Sequence, residues 1–349
     1  MASTVNYFTG IDEAKARLIF QQEYALAKQN WTEEAIKIAD DRARQLEDKL
    51  MPKMINFDNT LRIFADPSFQ LTLRQAQISA AGSERESDYE ILSELLLHRA
   101  EHNNDRNKRL GVSEAINIVD KVSDESLVAL SIFYAISKFT PASDNMEEGL
   151  SVINKLYNNI LDGKTLPSND DWMEHLDLLS AIRISPHDIA YFKKLDDCIP
   201  IMFRKYLVSG VLEDSDECNN IKDDFVKCGI PTSCIIPHPL KPNYMQLNNS
   251  FNVDDMRMTT RIDSTVTETP LNPQQKEAMK KAIDILRKDE SNDSTLKSRI
   301  VSEWDKRPML KEVHSWWNSL TNHFTITPVG MALANAYIQS KYPDIPSLY

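Results

Sequence analysis

The sequence predicts a mainly α-helical fold: a multi-helix array or bundle, a Pro-rich extended connector with a short hairpin, and a C-terminal helical module containing a short strand. Three observations predict it. Up to about residue 225, capping residues are followed again and again by acidic residues and then by apolar positions three and four apart. Between Gly229 and Pro273 this rhythm is broken by Pro231, Pro237, Pro239, Pro242 and Pro270. The helical pattern then resumes at Asn272-Pro273. These boundaries divide the chain linearly into 1–228, 229–271 and 272–349.

Taken in order, Thr32 precedes Glu33 and Glu34, with Ala35, Ala39, Ala43, Leu46 and Leu50 as an apolar stripe. Asp66-Pro67 offers a cap and a first-turn proline ahead of Phe69, Leu73 and Ala76. Ser87 with Glu90 reads as a capping box before Ile91, Leu92, Leu95 and Leu96. Ser123 opens Leu127, Leu130, Phe133 and Tyr134, and Ser168 opens Trp172, Leu176 and Leu179. Ser185-Pro186 with Asp188 opens Ile189, Phe192 and Leu195. In the connector, Thr259, Thr260, Thr265 and Thr267 favour strand. Beyond it, Asn272-Pro273 and Gln275 start a helix through Ala278, Ala282, Ile283 and Leu286. A helix with Val313, Trp316, Trp317 and Leu320 follows, then a strand over 323–327, then a helix capped by Thr327-Pro328 that runs through Leu333 to Ile338.

With 349 residues, 42% hydrophobic and 26% charged, the chain is long enough and apolar enough to bury a core. Asp12, Glu13, Lys15 and Arg17 interrupt any secretory signal, and the best apolar run, Leu127 to Ile136, is far short of a membrane span. Four cysteines in a chain of this length do not make a disulfide framework, so a cytoplasmic location is expected. The net charge of −12 opposes a surface that tracks nucleic acid. Residues 271–349 carry 11 Lys+Arg against 9 Asp+Glu, so only this part suits a polyanion.

The segments "EEAIKIADDRARQLEDKL", "FADPSFQLTLRQAQISAAGSERESDYEILSELLLHR" and "WMEHLDLLSAIRI", with the ending "FTITPVGMALANAYI", resemble a family of bacterial cytosolic proteins to which no activity is assigned. The resemblance covers most of the chain and implies a bacterial cytosolic origin. It transfers no functional residue. A role in antiphage defence is an analogy with other sporadically distributed bacterial families.

Glycine excludes the familiar nucleotide enzymes. The closest pair, Gly149 and Gly163, is 14 residues apart, so no P-loop, Rossmann fingerprint or nucleophile elbow exists. The sharpest positive match is His98-Arg99-Ala100-Glu101-His102, the H-x-x-E-H order in which two histidines hold zinc and Glu101 activates water. The same histidines also lie on the stripe of Ile91 and Leu95, as side chains carrying an apolar face toward its wet end. Cys218, Cys228, Cys234 and His238 have the ligand types of a Cys₃His zinc site, without a C-x₂₋₄-C pair. Asp170, Asp171, Glu174, His175 and Asp177 suit the start of a helix better than an acid/base group. Arg106, Lys108 and Arg109 form a short basic cluster between helices, and Lys276, Lys280 and Lys281 line a later helix. Either cluster suits a phosphate or a solvated face.

The expected function is therefore a non-enzymatic helical interaction protein, a sensor, adaptor or assembly subunit, without cofactor. Its partner is a protein or a second copy, with Trp317 at the edge of the Val313, Trp316, Leu320 stripe as interface anchor. In the bland alternative Trp317 is covered within the chain, and Trp304 and Trp316 are core. Two other functions stay open: a zinc-dependent hydrolase at His98, Glu101 and His102, and nucleic-acid binding through the C-terminal module, whose strand-then-helix ending is similar to that of some winged-helix modules.

Overall fold

A computed structural model of the chain describes residues 11–28, 31–141, 143, 145–185, 193–248, 253–262, 265–290, 292–345 and 347. Among them are fourteen α-helices and seven short strands, and the helices span more than half of the chain. The predicted mainly α-helical class is what the structure has. No helix among the described residues is long and apolar enough to cross a membrane.

The residues fall into two units, each assembled from separate stretches. The first comprises Met1–Phe139, Leu156–Phe192 and Leu320–Tyr349; the second comprises Thr140–Lys155 and Lys193–Ser319. This is a division by packing, whereas the sequence was divided by composition along the chain.

In the first unit, α1 (Glu13–Ala27), α2 (Glu33–Phe57), α3 (Pro67–Gly82), α4 (Glu86–Glu101), α5 (Arg106–Ile116) and α6 (Asp124–Lys138) follow one another through short joins. Helix α7 (Met146–Leu161) contributes its residues from Leu156 onward, and α8 (Asp171–Leu178) leads into β1 (Ile182–Ile184). The caps explain the boundaries. Thr32 accepts from the Ala35 N–H, Asp66 from Ser68 and Phe69 ahead of Pro67, and Ser123 from Ser126. The predicted box at Ser87 is not used: α4 starts at Glu86 behind Arg85. There Arg85 bonds Asp88, Asp124 and the Val119 carbonyl, while Ser83 Oγ takes the Arg85 N–H. These tertiary bonds fix the chain before Ser87 is reached. Similarly, α8 is preceded by Asp170 rather than opened by Ser168, and the helix expected from Ser185-Pro186 falls on 186–192, outside the described residues.

The core of this unit is built on α4, α6 and α14 (Pro328–Lys341). Ile91, Leu92, Leu95, Leu127, Leu130, Leu333 and Ile338 are all buried. Helix α14 is apolar on nearly every side, as a helix surrounded by α4, α5 and α6 must be. Its Tyr337 hydroxyl donates to the Ile160 carbonyl (3.0 Å), which joins it to α7. Thr327 caps α14 through the Gly330 N–H, as the Thr-Pro pair predicts. The short strand before it, β7 (Phe324–Ile326), pairs antiparallel with β1, Ile182 opposite Ile326. Phe324 meets Phe133 and Trp172 at ring-centroid distances of 4.4 and 5.6 Å.

In the second unit, α9 (Leu195–Met202), β2 (Val211–Leu212), α10 (Asp216–Lys227), β3 (Ile235–Pro237) and β4 (Tyr244–Leu247) precede the hairpin β5 (Arg257–Ile262) and β6 (Thr265–Pro270). The hairpin stands where the threonines predict it, in the register Thr260 opposite Thr267. A separate three-stranded antiparallel sheet has the order β2-β4-β3. Helix α11 (Pro273–Leu286) opens with a capping box of Asn272 and Gln275, and α12 (Ser294–Asp305) and α13 (Pro308–Ser319) complete the unit. Its core joins Ile221 and Phe225 of α10 with Met245 and Leu247 of β4 and Ala278, Ala282 and Leu286 of α11.

Candidate functional site

The residues singled out by the sequence are, with one exception, held apart or occupied by the fold. His98 is 1% exposed, and its Nε2 lies 2.5 Å from Gln339 Oε1 and 3.3 Å from Asn335 Nδ2 of α14. His102 is the C-cap of α4, half-buried. The carboxyl of Glu101 is pushed up by desolvation and then by the charge of Glu94, and makes no hydrogen bond among the described residues. His98 is thus turned into the helical core as a packing and hydrogen-bonding residue. Among the described residues no three His, Cys, Asp or Glu side chains are grouped to hold a metal.

The second proposed zinc set is dispersed in the same way. Cys218 is buried in the α10 core, and Cys228 and Cys234 are half-buried, with Cys234 Sγ 2.8 Å from the Pro231 carbonyl. His238 has both ring nitrogens engaged: Nε2 lies 2.9 Å from the Val208 carbonyl, and Nδ1 accepts the N–H groups of Leu240 and Lys241. It shapes a turn. The acidic residues near α8 also serve the fold. Asp170 accepts from Thr321 and Asn322, Asp177 accepts the Ile184 N–H, and His175 Nε2 lies 3.2 Å from the Lys121 carbonyl.

Trp317 is 5% exposed, and its Nε1 donates to the Lys193 carbonyl at 2.8 Å. The structure thus places it inside the second unit, not at an open stripe edge, because a nearby carbonyl satisfies its one donor and lets the ring be buried. Trp316 and Trp304 are buried too, Trp304 donating to the Leu310 carbonyl. On α11, Lys276 pairs with Asp254 and Lys281 with Glu277, so the basic side of that helix is partly neutralised.

The exception is the basic cluster of Arg106, Lys108 and Arg109. It opens α5, and there Arg106 and Arg109 line a pocket of about 400 Å³ with Asn107, Leu110 and Ser113 of the same helix, Ser68 and Thr72 of α3, and Arg99 of α4. Arg99 is 2% exposed. Its guanidinium donates to Asn103 Oδ1 (2.8 Å) and to Ser68 Oγ (2.7 Å), and Ser68 in turn donates to Asp66 Oδ1 (2.6 Å). Ser68 and its backbone, with Asn103, hold the Asp66 carboxyl below its usual range against the pull of burial. Desolvation, and then the nearby charge of Arg109, pulls Arg99 below the ordinary guanidinium value, with Asp66 opposing. Among the described residues no carboxylate is within ion-pair distance of Arg99, Arg106 or Arg109.

Electrostatically this is an unfavourable arrangement left standing. The first turn of α5 carries no acidic residue but three cations, Arg106, Lys108 and Arg109, where the helix dipole favours anions. Asp105, its N-cap, is committed to the N–H groups of Asn107 and Lys108. A buried guanidinium whose nearest carboxylate, Asp66, reaches it only through Ser68 has been desolvated at a cost that two neutral hydrogen-bond acceptors offset only in part. An anion in the pocket would relieve the repulsion between the arginines.

One family model, whose description reads ":-like", matches residues 10–347. The chain belongs to that family. Neither a curated protein nor a solved structure matches it. Sequence reasoning found Arg106 and Arg109 but missed Arg99, Ser68 and Thr72, which arrive from other helices. Arg99 did leave a signal. It follows the apolar run Leu95-Leu96-Leu97, with Leu95 and Asn103 four residues away on either side and no acidic partner at that spacing.

Proposed function

We propose that this is a non-enzymatic helical interaction protein whose first unit recognises its partner through an anionic group seated among Arg99, Arg106 and Arg109. The observation that carries this reading is that three arginines, one of them 2% exposed, line one pocket with no carboxylate in ion-pair distance among the described residues. Arg is suited to the task because its planar fork meets a tetrahedral or carboxylate anion with two parallel hydrogen bonds. The net charge of −12 favours one charged group over the extended backbone of a nucleic acid. A bacterial cytoplasm is the setting this reading assumes, and the four cysteines, none of them in a disulfide, suit it.

The test is thermal unfolding of the full chain in inorganic phosphate against sodium chloride of matched ionic strength. A site filled at 100 times its dissociation constant stabilises by about 2.7 kcal/mol. The expected result is a phosphate-specific rise in Tm that disappears in Arg106→Ala/Arg109→Ala. An equal rise in the double variant, or none in the wild type, would overturn the proposal.

A further inference from the structure

We infer that the group this pocket takes is a phosphomonoester in its dianionic form. The inference rests on the anion-binding reading above and narrows it to one chemistry. Its basis is the balance of charge and the size of the pocket. Arg99, Arg106 and Arg109 bring three positive charges to the lining. One carboxylate, Asp66, is wired to them: it accepts from Ser68, which accepts from Arg99. The other acidic group at hand, Asp105, is spent on the backbone N–H groups of Asn107 and Lys108, where it offsets the positive end of the α5 dipole. Two positive charges are thus left over, which a dianion matches. A carboxylate, a phosphodiester or a sulfate ester supplies only one negative charge, and a phosphomonoester near neutral pH supplies nearly two.

Shape points the same way. Donors reach the pocket from the ends of three helices, α3, α4 and α5, so they surround a tetrahedral group better than a flat one. At about 400 Å³ the pocket has more room than a bare phosphate fills. Of the remaining wall, the Thr72 hydroxyl donates to the Ser68 carbonyl, which leaves Leu110 and the Ser113 hydroxyl to whatever the phosphate esterifies. That ester is either a phosphorylated side chain of a protein or a small sugar phosphate, and both present the same dianion.

Calorimetric titration of the full chain at about pH 7.5 tests this with a matched set: phenyl phosphate, its methyl diester, phenyl sulfate and benzoate. Phenyl phosphate should bind at least about tenfold more tightly than the other three, a difference of ~1.4 kcal/mol, and Arg106→Ala/Arg109→Ala should abolish that preference. N-acetyl-O-phosphoserine amide and ribose 5-phosphate then separate the two sources: the tighter of the pair names the protein-borne or the small-molecule ester. Equal affinity for phenyl phosphate, the diester and the sulfate overturns this inference while leaving an anion site standing. Absence of binding by every probe, inorganic phosphate included, overturns the anion reading itself.

Discussion

His98 should govern how the first unit responds to acid. Burial is the largest influence on its imidazole and lowers its pKa from 6.5 to about 4, with the hydrogen bond to Gln339 opposing and the charges of His102, Lys53 and Lys108 adding to the depression. The folded protein therefore keeps His98 neutral in a range where the unfolded chain would protonate it. Because the folded value lies below the unfolded one, the stability tied to this group is complete above about pH 6.5 and is lost as pH falls toward 4. Each pKa unit is worth about 1.4 kcal/mol, so moving from about pH 7.5 to about pH 4.5 should remove roughly 2.5 kcal/mol. His98→Gln keeps a side chain able to hydrogen-bond α14 but does not titrate. Urea unfolding followed by far-UV circular dichroism, on wild type and variant at both pH values, isolates the term, since all other titrating groups are common to both. Wild type should lose about 2.5 kcal/mol more than His98→Gln. Parallel losses in the two proteins, or an imidazole that titrates near 6.5 by NMR in the folded state, would refute the argument.

Three further perturbations read other parts of the account. A methyl at Gly330 would overlap the Ala181 carbonyl oxygen and stand 2.9 Å from Ile326 Cγ2, so Gly330→Ala should destabilise by at least ~1–3 kcal/mol; an unchanged Tm would contradict that packing. His314 of α13 lies 2.8 Å from Asp305 and 3.2 Å from Asp196; burial lowers its pKa, but these hydrogen bonds and charges outweigh it, for a net rise. Its contribution is then full below the unfolded value near 6.5 and lost as pH rises through the folded value, so Tm should fall from about pH 6.5 to about pH 8.5 less in His314→Asn than in wild type. Identical pH profiles would exclude the clasp. Trp317→Ala should cost the ~3–5 kcal/mol of a truncated core tryptophan, whereas a loss below ~0.5 kcal/mol in urea titrations would mark it as a surface residue.

What the sequence disclosed was local, and what it withheld was assembled at a distance. Thr32, Asp66, Ser123, Asn272 and Thr327 are legible as caps because a side-chain oxygen two or three residues before its N–H target is a short-range device. Ser87 misled because the start of α4 is decided by bonds from Arg85 to Asp124 and Val119, more than thirty residues on. Strand β1 left almost no trace: three residues long, it exists through pairing with β7, and Ile182 meets Ile326 with residues 193–319, which belong to the second unit, between them in sequence. The candidate site shows the same division. Arg106 and Arg109 stand together in the sequence, but the pocket exists only because α3 brings Ser68 and α4 brings Arg99 to the start of α5. The H-x-x-E-H motif shows the converse: spacing placed His98 and His102 on one helix, and the packing of α14 decided that His98 would meet Gln339.

The most direct measurement is crystallographic: crystals of the full chain soaked in tungstate, a tetrahedral dianion, with the metal located from its anomalous scattering. The account predicts a strong peak in the pocket, with tungstate oxygens about 2.7–2.9 Å from guanidinium nitrogens of Arg99, Arg106 and Arg109. Tungstate bound only elsewhere, with those three side chains unoccupied at saturating ion, would contradict it.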